Sequence, residues 1–284
     1  MQQAGWTPLI LAVAPNGARK TRADHPAVPI TIPEIARCAA VCAEAGAAMI
    51  HLHVRDRDGR HSLDVDTYRE AIAALRREVG RRLIVQVTTE AVGRYTPDQQ
   101  MAVVRAVRPE AVSLAVRELV PDAAHEGAAA DFFAWLRREA IQPQYILYAP
   151  DDVARFDDLV RRGIVPDGPH FVLFVLGRYA SGQRSQPGDL LPFMTANGAG
   201  HVWAMCAFGR YEIACAAAAA ALGGHVRVGF ENNLHLPDGR VAPDNAALVA
   251  AAAAAAAAIG RPLADADQAR ALVATTSVRC DAAP

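Results

Sequence analysis

The sequence predicts a single α/β domain with the (β/α)8 TIM barrel fold. Short apolar segments rich in β-branched residues alternate with longer segments of helical periodicity along the chain. The chain has 284 residues, a usual length for one such barrel. Its apolar segments are almost continuously hydrophobic, like strands buried on both faces of a parallel sheet. We therefore expect one barrel domain over residues 1–284, with a short C-terminal helical extension.

The predicted strands and helices alternate in chain order. The eight predicted strands are Leu9–Ala14, Ala48–Val54, Leu83–Thr89, Ala111–Val116, Gln144–Ala149, His170–Leu176, Val202–Ala207 and His225–Phe230. Two helix starts, at Thr31–Glu34 and Thr96–Gln99, carry a capping box with a proline near the first helical position. The other predicted helices are Asp66–Val79, Ala128–Ala140, Asp152–Arg162, Pro187–Ala196, Arg210–Leu222, Asn245–Ile259 and Asp265–Ala274.

An open, doubly wound parallel sheet is the alternative to a closed barrel. In that fold a Gly-x-Gly-x-x-Gly motif typically follows the first strand when the protein binds a dinucleotide. The corresponding loop here, Ala14–Arg19, contains a single glycine. The sequence therefore favours the barrel.

Composition and charge exclude several classes of partner. With Lys+Arg 29 against Asp+Glu 30, the net charge of −1 gives no basic field that would hold a nucleic acid. Met1–Trp6 lacks the features of a secretory signal, and the apolar run Leu248–Ile259 is too short to span a bilayer. We expect a cytoplasmic protein without a membrane partner, with Cys38 and Cys42 as reduced thiols. Its alanine-rich helices suit close packing against neighbouring helices or a second subunit, and we expect a homo-oligomer.

A pair of histidines on the second predicted strand is the first candidate for chemistry. His51 and His53 are two residues apart, so their side chains lie on the same face of the strand and point into the barrel. Neutral imidazole is a common zinc ligand, although two hydrogen-bonded core histidines would also explain the pair. Of the other histidines, His61, His125 and His235 are expected in exposed loops, His25 in a loop, and His170 and His201 in structural positions.

The end of the eighth predicted strand supplies a third candidate ligand. In a closed barrel this strand lies beside the first, which lies beside the second, so Glu231 can reach the two histidines. Two imidazoles, one carboxylate and an open position are typical of a catalytic zinc site. The alternatives are a capping role for Glu231 and a salt bridge in the barrel mouth for Arg227.

Other strand ends carry small polar groups suited to an oxygen-rich substrate. Thr88, Thr89 and Glu90 end the third predicted strand, Ser113 lies on the fourth, and Asn16, Arg19 and Lys20 follow the first. Hydroxyl and guanidinium groups at these positions suit a small acid. The hydroxyls equally suit the satisfaction of backbone groups at the strand ends.

Three segments carry a family resemblance. Ile50–Asp56, Gln86–Thr89 and Gly224–Asn233 together resemble the β-keto acid cleavage enzymes, and the resemblance extends from about Pro8 to Leu263. It implies a (β/α)8 barrel that binds Zn²⁺. It also implies condensation of a β-keto acid with acetyl-CoA, which yields acetoacetate and a new acyl-CoA.

The resemblance also implies roles for individual residues. The family's zinc ligands fall on His51, His53 and Glu231, and the arginine of its catalytic Arg/Asp pair falls on Arg227. Its substrate-binding positions fall on Thr88, Ser113 and the main chain of Ala91.

These residue types suit cleavage of a carbon–carbon bond. Breaking a β-keto acid leaves an enolate, and a divalent cation stabilises the negative charge that develops. A Schiff-base aldolase would instead need a lysine in the barrel. The sole lysine of the chain is Lys20, in the first loop, so that class is disfavoured.

Two positions depart from the family pattern. Asn232 stands where the family has its catalytic aspartate, and an amide does not take up a proton at neutral pH. Asn232 then orients Arg227 while Glu90 or a water on the metal accepts the proton, or the enzyme catalyses a related step. Arg19 stands where an acidic residue would hold the amino group of an aminohexanoate substrate. We therefore predict a substrate with an anionic or polar far end, such as a keto dicarboxylate.

Two other functions remain as alternatives. One is a metal-dependent hydrolase or hydratase on the same barrel, in which water attacks the substrate. The other is a metal-binding homologue whose catalysis is altered by Asn232. Dependence on acetyl-CoA separates the transferase from both.

Overall fold

The structure is a closed barrel of eight parallel strands with helices between them. It is a computed structural model that describes residues 5–168 and 170–274, so the prediction of one domain over residues 1–284 extends beyond the described residues. The strands follow one another around the barrel in the order first to last of the chain. The predicted (β/α)8 fold is confirmed, and the open doubly wound sheet is wrong.

The strands are numbered in chain order. They are β1 (Leu11–Val13), β2 (Met49–Leu52), β3 (Val54–Arg55), β4 (His61–Ser62), β5 (Ile84–Thr88), β6 (Ala111–Ala115), β7 (Gln142–Leu147), β8 (Phe171–Leu176), β9 (Val202–Ala207) and β10 (His225–Val228). Strands β3 and β4 form a separate antiparallel ribbon, and the other strands form the barrel. Strand β1 pairs with both β2 and β10, which closes the barrel.

The helices cover the outside of the barrel. They are α1 (Ile32–Glu44), α2 (Val65–Val79), α3 (Pro97–Val107), α4 (Val116–Leu119), α5 (Glu126–Arg138), α6 (Pro150–Arg161), α7 (Leu191–Ala196), α8 (Glu212–Ala221), α9 (Asn245–Ala258) and α10 (Ala266–Ala274). Short 3₁₀ turns lie at Ala123–His125, Ser181–Gln183 and Pro187–Leu190. Within the described residues, no helix has the length and apolar character needed to cross a bilayer.

Both predicted capping boxes form. The Glu34 carboxylate accepts hydrogen bonds from the backbone N–H of Thr31 and of Ile30 at 2.9 and 3.0 Å. At the start of α3, the Thr96 hydroxyl accepts from Gln99 N at 3.3 Å, and Gln99 Oε1 accepts from Thr96 N at 2.9 Å. These bonds satisfy N–H groups that a helix leaves unpaired at its start.

The differences from the predicted elements are concentrated at their ends. The eighth barrel strand was predicted to reach Phe230 but ends at Val228, because Gly229 has a φ of 135° and turns the chain. A Cβ at Gly229 would lie 2.5 Å from the carbonyl oxygen of Ala14, so this turn requires glycine. The β3–β4 ribbon and the short helix α4 were not predicted. The predicted helix Pro187–Ala196 is a 3₁₀ turn followed by α7.

Apolar side chains fill the amino-terminal part of the barrel interior. Ile10, Met49, Ile84, Phe171 and Leu173 belong to one buried cluster there. Helix α10 packs near this end, where Arg270 forms an ion pair with Glu110 at 2.6 Å. Because this end is closed by packing, polar chemistry is confined to the carboxyl ends of the strands.

Candidate active site

Two histidine side chains meet at the carboxyl end of β2. His51 lies on the strand, and His53 lies in the break between β2 and β3. Both are buried, and their Nε2 atoms are 3.1 Å apart. The spacing of two residues therefore places both rings on one side of the strand, as the sequence predicts.

The third member of this cluster, Glu231, comes from the turn after β10. Its Oε2 atom lies 3.3 Å from His53 Nε2 and 3.8 Å from His51 Nε2. Strand alternation does not continue as far as Glu231, because the chain already turns at Gly229. Glu231 reaches the histidines because of that turn. It also needs the close approach of Gly17, where a Cβ would lie 2.5 Å from Glu231 Cγ.

The three side chains fit a single divalent cation. Their ligand atoms all lie within 4.8 Å of one another, and Glu231 Oε2 is buried with no hydrogen-bond partner among the described residues. Burial, with a smaller contribution from Arg227, lowers the pKa of His51 well below its usual range, so its ring is neutral and able to coordinate. We name the arrangement of His51, His53 and Glu231 the metal triad.

Glutamine side chains orient the His51 ring. His51 Nδ1 lies 2.9 Å from Gln86 Oε1, and Gln86 Nε2 donates to Gln144 Oε1 at 3.1 Å. Since the Gln86 amide group donates to Gln144, its oxygen accepts from His51 Nδ1–H. The Nε2 lone pair of His51 is then free for a metal.

His61 orients the His53 ring in the same way, and the prediction that His61 is an exposed loop residue is wrong. It is buried on β4, because the β3–β4 ribbon folds back over the end of β2. Its Nε2 lies 2.9 Å from the carbonyl oxygen of Glu90, and its Nδ1 lies 3.4 Å from His53 Nδ1. A proton on Nε2 of His61 therefore leaves Nδ1 to accept from His53.

Arg227 lies beside the metal triad, on β10. Its Nη2 donates to Glu231 Oε1 at 3.0 Å, to Cys206 Sγ at 3.2 Å and to Asn232 Oδ1 at 3.4 Å. Its Nε is buried without a partner in the described part of the chain. Burial alone would raise the pKa of Glu231, but Arg227, His51 and His53 together outweigh it and hold that pKa well below its usual range.

A buried carboxyl group that was not predicted from the sequence lies behind Asn232. Glu212, the first residue of α8, accepts hydrogen bonds from Gly229 N at 3.0 Å, from Asn232 Nδ2 at 3.2 Å and from Asn233 Nδ2 at 3.3 Å. Burial raises its pKa to about 8 against these hydrogen bonds. The sequence shows one acidic residue at the start of an alanine-rich helix, a pattern equally typical of an ordinary helix start.

A cavity above the metal triad is lined by polar side chains and three apolar ones. The polar residues are His51, Thr88, Glu90, Tyr148, Arg178, Arg227 and Glu231, and the apolar residues are Ile146, Val175 and Phe208. An adjoining cavity shares Glu90, Arg178, Phe208 and Glu231 and opens past Arg19 and Lys20 of the first loop. The first loop therefore forms the outer part of the same site.

Arg178 is a second site residue that was not predicted. It follows β8, faces Glu90 across the cavity with Nη2 3.3 Å from Glu90 Oε1, and lies over the ring of Phe208 at 4.9 Å. Its place just after a strand was a usable signal, since working residues in a TIM barrel follow the carboxyl ends of strands.

The remaining predicted site residues differ in their access to the cavity. Thr88 lines it, and its hydroxyl accepts from Glu90 N at 3.1 Å. Ser113 is fully buried outside the described lining, with no partner for its hydroxyl among the described residues. The backbone N–H of Ala91 donates to Glu118 Oε2 at 3.0 Å. Asn232 contacts Arg227 and also lies outside the described lining.

Comparison with known proteins matches nearly the whole described chain to β-keto acid cleavage enzymes. A sequence profile of the family described as beta-keto acid cleavage enzyme matches residues 8–274. The 3-keto-5-aminohexanoate cleavage enzyme of Fusobacterium nucleatum is 32% identical over 275 residues, which cover 93% of this chain and 97% of that protein. The 3-oxoadipate:acetyl-CoA acetyltransferase of Cupriavidus necator is 31% identical over 292 residues, which cover 96% and 97%.

Solved structures show the same fold. The apo structure of ObcA matches with a TM-score of 0.71 at 18% sequence identity, covering 88% of this chain and 66% of the ObcA chain. At this identity the likeness concerns the barrel alone.

Proposed function

This chain belongs to the β-keto acid cleavage enzyme family, and on that premise we propose that it condenses a β-keto acid with acetyl-CoA. A substrate R–CO–CH₂–COO⁻ and CH₃–CO–SCoA would give acetoacetate, CH₃–CO–CH₂–COO⁻, and R–CO–SCoA. The bond between the keto carbon and the methylene carbon breaks, the methylene carbon joins the acetyl group, and the acyl group joins the CoA sulfur. The observation that carries the proposal is the metal triad with Arg227 beside it, at the cavity of a barrel whose sequence matches this family.

We propose Zn²⁺ as the ion that His51, His53 and Glu231 would hold. Two neutral imidazoles and a carboxylate are the ligand types of catalytic zinc sites. When bound, the ion would supply a Lewis acid for the negative charge that develops on the substrate.

Arg227 would bind and polarise the substrate from beside the metal triad. Its Nη2 is held by three acceptors, while Nε has no partner in the described residues. A fixed guanidinium with an available donor suits a carboxylate or a developing oxyanion. The Thr88 hydroxyl accepts from Glu90 N, so its own proton is available for a substrate oxygen.

Glu90 is the residue we propose as proton acceptor. Its carboxylate lines both parts of the cavity, whereas the Asn232 amide already donates to Glu212 and accepts from Arg227. The ion pair with Arg178 at 3.3 Å would fix the Glu90 carboxylate in position.

The outer part of the site suits a substrate whose far end is anionic. Lys20 lies 3.9 Å from Asp24, and Arg178 pairs with Glu90, but Arg19 is exposed and forms no ion pair with any described residue. An unpaired guanidinium attracts a carboxylate and repels an ammonium group. The relative from Cupriavidus necator is named for 3-oxoadipate, a keto dicarboxylate, which agrees with this chemistry.

The test is a product assay with a defined panel. Zinc-loaded protein is incubated with acetyl-CoA and 3-oxoadipate, 3-keto-5-aminohexanoate or 3-oxohexanoate, and acetoacetate and the new acyl-CoA are followed by mass spectrometry. We expect turnover only with acetyl-CoA present, fastest with the dicarboxylate. Substrate loss without acetyl-CoA would identify a hydrolase, and the absence of turnover with all three acids would overturn the proposal.

The variant Arg19→Glu tests the substrate preference separately. We expect KM for 3-oxoadipate to rise roughly fivefold, since an exposed charge interaction contributes up to about 1 kcal/mol. KM for uncharged-tail 3-oxohexanoate serves as the control and should stay unchanged. An unaltered KM for the dicarboxylate would show that its far end lies elsewhere.

A further inference from the structure

The guanidinium of Arg227 is held in place by acceptors on one of its nitrogens. Glu231, Cys206 and Asn232 all accept from Nη2. The direction in which the rest of the guanidinium points therefore depends on these neighbours. Glu231 belongs to the metal triad and Cys206 lies on strand β9. The Asn232 amide is therefore the contact whose orientation can change.

The orientation of the Asn232 amide is set from its far side. Its Nδ2 donates to Glu212 Oε1 at 3.2 Å and to the carbonyl oxygen of Arg227 at 3.4 Å, so its Oδ1 faces the guanidinium. A rotation of the amide by half a turn would place its oxygen against two acceptors and its NH₂ group against a cation. Glu212 therefore selects the orientation in which Asn232 accepts from Arg227.

The contacts of Glu212 suit a carboxylate. Each described hydrogen-bond partner is a donor, namely Gly229 N, Asn232 Nδ2 and Asn233 Nδ2. A protonated Glu212 would find no acceptor among these groups. The side chain is completely buried and forms no ion pair with an arginine or lysine of the described residues. A buried carboxylate without a cation is unfavourable, and its nearest functional neighbour is the Asn232–Arg227 contact.

We propose that Glu212 is a positioning residue for the condensation reaction proposed above, acting through Asn232 on Arg227. It holds the amide so that the guanidinium presents its unpartnered Nε to the substrate. When ionised, it also supplies the negative charge that an aspartate at position 232 would bring, displaced by one hydrogen bond. This positioning role depends on the proposed function only where kcat is used to test it.

The test is a cycle of three variants that move the carboxylate between the two positions. In Glu212→Gln one of the two carboxylate oxygens becomes an NH₂ group. Because Oε1 accepts from both Gly229 N and Asn232 Nδ2 and Oε2 accepts from Asn233 Nδ2, either orientation of the new amide sets this NH₂ group against a donor, which disturbs the side chains that hold Arg227. We expect kcat to fall about 10- to 100-fold, as for other groups that orient a functional side chain without touching the substrate, with KM changed by less than about twofold. Asn232→Asp alone places two buried carboxyls in hydrogen-bond contact, so that one must take up a proton, and kcat should fall as well.

The double variant Glu212→Gln/Asn232→Asp decides the question. The amide introduced at position 212 would donate to the carboxylate introduced at position 232, whose second oxygen accepts from Arg227, so one carboxylate is restored. We expect kcat to recover at least about tenfold over Glu212→Gln, whereas two losses of packing would combine additively in free energy. An unchanged kcat in Glu212→Gln, or a double variant no better than the singles, would overturn the proposal.

A control and a second measurement separate this proposal from the proposed function. Glu110→Gln removes a carboxylate at the opposite end of the barrel, where Glu110 pairs with Arg270, and should leave kcat unchanged. Crystal structures of the natural protein and of Glu212→Gln show the side chains directly. If the natural protein turns over no β-keto acid, the proposed function fails. The positioning role is then judged from the crystal structures alone, and it is overturned if the Asn232 side chain keeps its contacts in Glu212→Gln.

Discussion

Arg261 at the amino end of the barrel and Arg227 at the carboxyl end are both buried, but they are stabilised in different ways. Arg261 donates to the carbonyl oxygens of Thr7, Ala220, Gly224 and Gly223 at 2.9, 2.8, 2.7 and 3.3 Å. Arg227 faces side chains instead, and part of its guanidinium is unpartnered within the described chain.

The surroundings change the pKa of the two guanidinium groups in opposite directions. Burial lowers the pKa of Arg261, which has no acidic neighbour. Burial would also lower the pKa of Arg227, but Cys206 and Glu231 raise it above its ordinary value. Backbone carbonyls thus complete the contacts of Arg261, whereas Arg227 contacts side chains and keeps one donor without a partner among the described residues.

The largest expected difference between the two ends of the barrel is the amount of bound zinc after a histidine is replaced. His53→Ala removes a ligand of the metal triad, so we expect bound zinc to fall from about one ion per chain to background, with loss of turnover. Metal content is measured by mass spectrometry after gel filtration. His225→Asn is the control at the amino end, where His225 Nδ1 accepts from Ile10 N at 2.9 Å. Equal zinc in both variants would contradict the assignment.

The next effect is expected at Arg227 itself. Arg227→Lys keeps a positive charge beside Glu231, so the free energy of unfolding should change little, but an ammonium group cannot hold three acceptors and a substrate in one plane. We expect kcat/KM to fall about 10²- to 10³-fold. Steady-state kinetics and thermal denaturation measure the two quantities. A fall in stability without a fall in kcat/KM would make Arg227 a structural residue like Arg261.

A smaller effect is expected at the glutamine that orients His51. Gln86→Leu removes the acceptor for His51 Nδ1–H, and the affinity for zinc should fall about 10- to 100-fold. Competition with a chromogenic chelator measures it. Gln144→Leu is the matched variant one hydrogen bond further away, and it should weaken zinc binding less. The reverse order would contradict the proposed role of Gln86.

The smallest effect on activity is expected at the amino end. Arg261→Met leaves four backbone carbonyls without their donor, and we expect the free energy of unfolding to fall by about 3 kcal/mol. The kcat/KM of the folded fraction should stay within about twofold, because the two ends are independent. Urea denaturation and kinetics below the transition measure both. A large fall in kcat/KM with unchanged stability would remove the distinction between the ends.

The alternation of strand and helix was predictable because each element carries its own local pattern. Apolar segments and capping boxes such as Thr31–Glu34 need no tertiary information. The pairing of His51 with His53 followed from strand geometry, and Glu231 followed from closure of the barrel. The turn at Gly229 that brings Glu231 to the histidines was not predicted.

The contacts that support the site were not predictable from local patterns. His61 is buried because a short ribbon folds over β2, and a two-residue strand has no periodicity to detect. Glu212 contacts Asn232 across 20 positions of the chain, and its position at a helix start offers an ordinary explanation. Arg178 could have been predicted as a site residue, because it follows a barrel strand. Its pairing with Glu90 could not, because that contact exists only in the assembled barrel.

The tight packing of Gly17 against Glu231 has a consequence for how this enzyme can diversify. Gly17 has a φ of 58° and no room for a side chain, so the first loop is anchored at that residue to the turn that carries Glu231. Arg19, two positions later, is exposed at the entrance. On the proposal that Arg19 meets the far end of the substrate, position 19 can change the acid that is bound without disturbing the contact between Gly17 and Glu231, which ends two positions earlier in the loop.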